Sequence, residues 1–172
     1  MKNRLVLIGA CGLMLAGCAT SPAPAAVPKP APSPSDSSAS VQQWASIVAE
    51  EQAELAKWRD QWNADNCKLA AVDDLTCSIE TLTGTFVVQT VSTKLKIPTT
   101  AKSTGFIGTP PKEIRGLYGD TQTMAEGAVT AGKAWSDGCS KTASDECLQL
   151  VFEFDTAVEK LETKFAAWAP YQ

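Results

Sequence analysis

Apolar residues three and four positions apart recur through most of this chain and constrain its fold more than any other feature. The clearest run lies between Ser144 and Pro170, where the spacing of four and three is unbroken. Its members are Cys147, Val151, Phe154, Val158, Leu161, Phe165 and Trp168. This spacing predicts an α-helix with one apolar stripe, which Ser144 is suited to cap and Pro170 to stop.

Two further stretches carry the same pattern. After a capping-box sequence over 40–43, a first helix of about 26 residues is predicted. Its apolar stripe is Val41, Trp44, Val48, Leu55, Trp58, Trp62 and Leu69. Pro110 and Pro111 stand at the first positions of another predicted helix, where a missing N–H is not needed. Its stripe is Ile114, Leu117, Met124, Ala128, Ala131 and Trp135, and its glycines and alanines would let a neighbour approach closely.

The stretch 73–97 is less regular. Leu75, Ile79, Leu82 and Phe86 keep helical spacing, but the segment is rich in Thr and Val, which favour strands. We predict a helix because the neighbouring elements are helical and need an apolar partner, with a β-hairpin over 80–97 as the alternative. Pro98 ends this element, and 98–109 is predicted to be a loop. The fold class predicted from these patterns is all-α, an up-down-up-down four-helix bundle.

Four cysteines flank the two predicted turns of this bundle, Cys67 with Cys77 and Cys139 with Cys147. Of the three possible pairings, the local one within each turn is favoured. Cross-pairing stays possible, because both turns lie at the same end of such a bundle. The spacings of ten and eight do not suit a zinc knuckle, and no Cys-x-x-Cys redox pair is present. We therefore predict two helical hairpins, each stapled by a disulfide.

The N-terminus has the order of a secretory signal: basic residues, an apolar core, then small residues. The apolar core of about 11 residues is too short to cross a bilayer as a helix. Leu15-Ala16-Gly17-Cys18 resembles the lipobox of bacterial lipoproteins. The resemblance implies a signal peptide over 1–17, a diacylglyceryl group on the Cys18 sulfur and a fatty acyl chain such as palmitate on its amine. It implies a bacterial or phage-encoded protein, lipid-anchored and extracytoplasmic, at the bacterial cell membrane or outer membrane.

The segment 18–40 is predicted to be a tether. Six of the ten prolines lie here among Ala and Ser, so the segment has too little apolar area to fold and favours extended conformations. At about 3.1 Å per residue its reach is on the order of 70 Å. The remaining residues, 41–172, suit one helical bundle domain with a single core.

Composition excludes several functions. The chain has no histidine, which rules out a Ser-His-Asp or Cys-His nucleophile, and it has no phosphate-binding loop. The domain carries 18 acidic and 12 basic residues, which argues against nucleic acid as a partner. We predict no enzymatic activity, cofactor, catalytic residue or metal ligand, and place the tryptophans in the core. Glu51 and Asp155 are the two acidic residues that could face inward. An inward carboxylate is either paired with Lys or Arg or binds a ligand.

The predicted topology puts the tether and the 98–109 loop at one end of the bundle and both cysteine turns at the other. The polar tip at the cysteine turns is the first candidate for partner binding, through Asp73, Asp74, Lys141 and Asp145, with Asn66, Lys68 and Asp137 beside them. Phe106 and Ile107 in the loop are the second candidate, as a membrane contact or as a cover over the core.

The expected function is therefore a membrane-anchored, non-enzymatic interaction module that binds an envelope protein or a wall component. Receptor blocking by a phage-encoded superinfection-exclusion lipoprotein is one form of this, by fold-level analogy. The alternative is a carrier of an apolar small molecule or lipid between the helices.

Overall fold

In a computed structural model, the chain is described over residues 39–70, 74–139 and 144–172. The helices are α1 (Val41–Ala64), the single turn α2 (Cys67–Ala70), α3 (Leu75–Lys96), α4 (Lys112–Cys139) and α5 (Asp145–Ala166). These described residues contain no strand, so the β-hairpin alternative is wrong and the helical prediction is confirmed. The lipobox with Cys18 and nearly all of the tether lie outside the described residues.

The four long helices form a bundle in which each packs against the next along the chain. The contacts run from α1 to α3, from α3 to α4 and from α4 to α5, and a smaller contact between α5 and α1 closes the ring. Two disulfides staple the turns at one end: Cys67–Cys77, with Cα atoms 5.1 Å apart, and Cys139–Cys147, with Cα atoms 5.5 Å apart. The all-α fold and the local disulfide pairing are thus confirmed.

Side-chain caps begin the helices where the sequence predicts them. Ser40 and Gln43 form a reciprocal capping box. The backbone N–H of Gln43 donates to Ser40 Oγ at 3.2 Å, and the backbone N–H of Ser40 donates to Gln43 Oε1 at 2.7 Å. Ser144 caps α5 by accepting from the backbone N–H of Cys147. The first helix is shorter than predicted, because Asn66 adopts a φ of 55° and separates α1 from α2. Asn tolerates this left-handed conformation better than most residues.

Aromatic rings fill the core near the tether end of the bundle. Trp44 contacts Tyr118 edge-on at 4.7 Å between ring centroids, and Tyr118 contacts Trp168 at 6.0 Å. The Tyr118 hydroxyl donates to the Leu95 carbonyl at 2.6 Å, and Trp168 Nε1 donates to Thr121 Oγ1 at 2.9 Å. All five tryptophans are buried, so they belong to the core, as predicted.

Helix α3 turns mainly small residues toward the core around Gly84, and three of its large apolar residues lie exposed to solvent. Leu75, Ile79 and Phe86 are 76%, 53% and 58% exposed, so three of the four residues that marked this helix in the sequence face solvent. The fourth, Leu82, is partly buried against the core. The cause is a close approach between helices. A Cβ atom at Gly84 would lie 2.4 Å from Cζ2 of Trp58, so only glycine leaves room for that ring. The buried face is Cys77, Thr81, Gly84, Thr85, Val88, Val91, Ser92 and Leu95.

We predict that Gly84→Ala destabilises the domain by about 1–3 kcal/mol, because the added methyl group overpacks the Trp58 contact. This loss exceeds the gain of about 1 kcal/mol that alanine brings over glycine in a helix interior. Gly127→Ala is the matched control, because nothing lies within 4 Å of a Cβ at that position in α4. It should stabilise the domain by up to about 1 kcal/mol. Urea denaturation of both variants measures the difference, and equal shifts would contradict the Gly84 packing.

Candidate functional site

A surface groove of about 480 Å³ lies near the stapled end of the bundle, between α2 and the first two turns of α5. We call it the tip groove and define it by its lining residues, Lys68, Asp145, Leu148, Gln149 and Phe152. Lys68 follows Cys67, and Asp145 stands two residues before Cys147. Each wall of the tip groove therefore stands next to a disulfide, and the ion pairs of Lys68 with Asp155 and Glu159 join one wall to the other.

The floor of the tip groove is an exposed apolar pair. Leu148 is 47% exposed and Phe152 is 56% exposed, on consecutive turns of α5. The core takes Cys147 and Val151, so the residue that follows each of them faces outward. Large apolar side chains grouped on a surface are typical of contact sites for other molecules.

Charged side chains border this apolar pair. Lys68 Nζ lies 2.7 Å from Glu159 Oε1 and 3.3 Å from Asp155 Oδ2, and the hydrogen bond to Glu159 is the main cause of the raised pKa of Lys68. Asp155 also pairs with Arg59, whose Nε lies 2.9 Å from Glu162. The charged residues that line the tip groove itself are one cation, Lys68, and one carboxylate, Asp145, so its border is polar without an excess of either charge.

Both inward carboxylates are paired with cations. Asp155 is buried between Arg59 and Lys68, as described above, and joins α5 to α1 and α2. Glu51 is 1% exposed and lies 3.3 Å from Lys94 Nζ, so this pair joins α1 to α3. The ion-pair alternative for these residues is confirmed. Within residues 39–70, 74–139 and 144–172, no group of three or more His, Cys, Asp or Glu side chains is placed to hold a metal ion.

The predicted tip residues have different roles. Asp145 lines the tip groove together with Lys68. Asp74 instead caps α3, and its carboxylate accepts from the backbone N–H of Thr76 at 2.7 Å. Asp73 and Lys141 lie outside the described residues.

In the 98–109 loop at the opposite end, Ile107 covers part of the core and Phe106 is exposed. Ile107 is half-buried against the core. Its backbone N–H donates a hydrogen bond to the Pro98 carbonyl at 3.0 Å, and its carbonyl accepts one from the backbone N–H of Ala39 at 3.4 Å. It is therefore the cover over the core that the sequence suggested. Phe106 is 48% exposed and stays a candidate contact.

Sequence reasoning missed Leu148 and Phe152, although a signal for them was present. They are two large apolar residues four positions apart that fall one step beside the main stripe of the last helix. A second apolar line beside a complete core stripe indicates a surface that another molecule covers.

No family model, curated protein or solved structure matches this chain. Within the part of the chain that the structure describes, none of the helices is both long enough and apolar enough to cross a membrane. The site must therefore be interpreted from its own residues.

We predict that Glu51→Gln raises the melting temperature at neutral pH. Burial raises the pKa of Glu51 above its ordinary value of 4.5, against the opposing effect of Lys94. Folding therefore favours the protonated form of Glu51 more than the unfolded chain does. The stability that this preference contributes is complete below pH 4.5 and is lost as the pH rises through the native pKa. Glutamine stays neutral throughout, so its advantage should shrink as the pH falls.

The control for this prediction is Glu54→Gln, one turn along α1. Glu54 is exposed, and its hydrogen bond to Lys57 lowers its pKa, so neutralising it should bring no gain at neutral pH. Thermal melts of both variants across the acidic range test the sign. A melting temperature that falls in Glu51→Gln at neutral pH would show that the Lys94 pair outweighs burial.

Proposed function

We propose that this chain is a lipid-anchored lipoprotein of the bacterial cell envelope, whose helical domain binds an envelope protein through the tip groove without catalysing a reaction. The acylated Cys18 would hold the chain at a membrane surface. The segment 18–40 would separate the domain from that surface.

The anchor is supported by the sequence and is consistent with the disulfides. Residues 15–18 match the lipobox at all four positions and follow a basic start and an apolar core of suitable length. Disulfides such as Cys67–Cys77 and Cys139–Cys147 persist mainly in oxidising compartments, which lie outside the bacterial cytoplasm. Two or three acyl chains on one residue give stable membrane attachment, whereas one chain holds only marginally.

The exposed pair Leu148 and Phe152, between Lys68 and Asp145, is the observation that supports a binding role. Aromatic and aliphatic side chains with a polar rim are the usual centre of a protein interface. The disulfides keep this pair in place, so little ordering entropy opposes binding. An apolar side chain surrounded by polar groups is the partner chemistry that fits this pair.

The carrier alternative is less well supported, because the small residues that would make room for a ligand are already in contact with neighbours. A Cβ atom at Gly132 would lie 2.7 Å from Thr85 Oγ1 and 3.1 Å from a ring carbon of Phe154. The space that a side chain at Gly84 would need is occupied in the same way by the Trp58 ring. In both places the missing side chain admits a neighbouring helix.

The anchor is tested at Cys18. Mass spectrometry of the product made in a bacterium should find cleavage before Cys18 and a diacylglyceryl group on its sulfur. The Cys18→Ala chain should no longer sediment with membranes, because the acyl chains supply the attachment. An unmodified Cys18, or a Cys18→Ala chain that still sediments with membranes, would contradict the anchor.

The tip groove is tested by Phe152→Glu in the full chain, tagged and used to capture partners from solubilised envelopes. We expect at least about a fivefold loss of a captured envelope protein, because the substitution puts a charge on the apolar floor. The matched control is Phe106→Glu, which makes the same change at a similarly exposed phenylalanine in the loop.

Two outcomes would count against the tip groove. Phe106→Glu could abolish capture while Phe152→Glu keeps it, which would move the site to the loop. Purified cell wall alone could bind the chain, which would replace the protein partner by a wall component. Circular dichroism of both variants must match the parent protein, since a loss of fold would explain any result.

A further inference from the structure

Positive charge is concentrated at the end of the bundle where the tether enters. The segment 94–115 contains the last residues of α3, the loop and the start of α4, and we call it the loop end. It carries five of the domain's 12 basic residues but only one of its 18 acidic residues, Glu113. The basic residues are Lys94, Lys96, Lys102, Lys112 and Arg115. The rest of the domain carries 7 basic and 17 acidic residues, so a basic end opposes an acidic remainder.

Three of these cations are available to a partner. Lys94 and Lys96 are used within the domain, where each pairs with a glutamate of a neighbouring helix. The others are exposed, and within the described part of the chain they have no carboxylate at ion-pair distance: Lys102, Lys112 and Arg115. Arg115 Nε donates to the Pro110 carbonyl at 3.2 Å, which holds its guanidinium beside the loop.

Two exposed apolar side chains belong to the same segment. Ile97 is 38% exposed and Phe106 is 48% exposed. A Cβ atom at Gly105 would lie 2.6 Å from Ile97 Cγ2, so Ile97 packs against the residue that precedes Phe106. The backbone N–H of Phe106 donates to the Ser103 carbonyl at 3.2 Å, and Ser103 Oγ donates to the Ile97 carbonyl at 2.7 Å. The loop therefore holds this apolar pair in place by its own hydrogen bonds.

A bilayer that contains anionic phospholipid fits this combination of side chains. Lysine and arginine side chains near such a surface are attracted by its negative potential. Apolar side chains beside them can enter the boundary between headgroups and acyl chains. The same potential repels the acidic remainder of the domain, so it favours the orientation in which the loop end faces the bilayer.

The path of the chain favours a bilayer over an acidic protein. The backbone N–H of Ala39 donates to the Ile107 carbonyl at 3.4 Å, so the chain enters the domain at the loop end. Cys18 stands 21 residues before Ala39, a span on the order of 70 Å at most. With Cys18 held in a bilayer, this short connection gives the loop end a high effective concentration of lipid. An acidic protein would have to reach the same surface by a separate encounter.

We propose that the loop end docks on an anionic phospholipid bilayer. Phe106 and Ile97 enter the headgroup boundary, and the three unpaired cations contact lipid phosphates. The proposal rests on the lipid anchor proposed above, and it adds an orientation in which the tip groove points away from the membrane.

The first test measures lipid contact at position 106. The chain from Cys18 to Gln172, which contains the described core, is coupled to a maleimide lipid through Cys18, its only cysteine outside the two disulfides. Brominated acyl chains should quench the fluorescence of Phe106→Trp in vesicles that contain phosphatidylglycerol. Quenching should be at least about fivefold weaker in phosphatidylcholine alone. The native tryptophans are buried, so the parent chain supplies the background.

The matched control for position is Leu75→Trp. Leu75 is exposed at the first position of α3, at the stapled end of the bundle. A tryptophan there should stay unquenched in both kinds of vesicle.

The second test removes the charge attraction. Lys102→Glu combined with Lys112→Glu, in the Phe106→Trp chain, should lower the ratio of docked to undocked chains at least about tenfold. The matched control combines Lys133→Glu with Lys160→Glu, which makes the same charge change at exposed lysines outside the loop end. This control should be quenched like the Phe106→Trp chain.

Four results in vesicles would overturn the proposal: no quenching at position 106, equal quenching without phosphatidylglycerol, equal quenching at position 75, or an equal loss in the control pair. In the full chain in its own membrane, a photo-crosslinking amino acid at Thr104 should join phospholipid. A crosslink from this position to a protein would overturn the proposal in favour of an acidic partner.

The vesicle tests separate this proposal from the anchor. Coupling through the maleimide lipid does not require acylation by the bacterium. An unmodified Cys18 in the bacterial product would therefore contradict the anchor, while quenching at position 106 would still support docking by the loop end. Absence of quenching would contradict docking and leave the anchor in place.

Discussion

The close approach of α1 and α3 at Gly84 is the contact on which the rest of the structure depends. The Trp58 ring lies where a side chain at Gly84 would be, and its Nε1 donates to the Glu80 carbonyl at 2.9 Å. Gly132 provides a similar space on α4, which Thr85 and Phe154 occupy. Because large rings from the other helices fill the centre, α3 presents small residues inward. Leu75, Ile79 and Phe86 then have no place in the core and lie on the surface.

Buried ion pairs complement this packing. Glu51 with Lys94 links α1 to α3, and Asp155 with Arg59 links α5 to α1. Pairs of this kind rarely add much stability over apolar packing, but a partner lost from one of them leaves a buried charge. Their main effect here is to fix how far one helix is shifted along its neighbour, because each carboxylate meets its cation at only one such position. With the two stapled turns, they hold the tip groove as a fixed surface.

Much of the fold was predictable because its signals are local. Capping at Ser40 and Ser144, the stripe of the last helix and the pairing of cysteines across short turns each depend on residues close in sequence. The candidate site was predictable only in part. Asp145 and Lys68 were expected at the stapled tip, whereas the apolar floor that joins them was not. Leu148 and Phe152 are apolar enough to be core residues. They face outward because the neighbouring residues of α5, such as Cys147 and Val151, already form its buried side.

The sequence by itself determined most of the helical pattern and its capping residues and favoured the local cysteine pairing, because hydrogen-bond caps, apolar spacing and short loop closure act over a few residues. Only the tertiary structure decided which side of α3 is buried. Its apolar residues are spread around the helix and interspersed with threonines, so its periodicity does not distinguish an inner face from an outer one. The choice depends on the volume of side chains distant in sequence, since Trp58 can pack on α3 only where Gly84 leaves room for the ring.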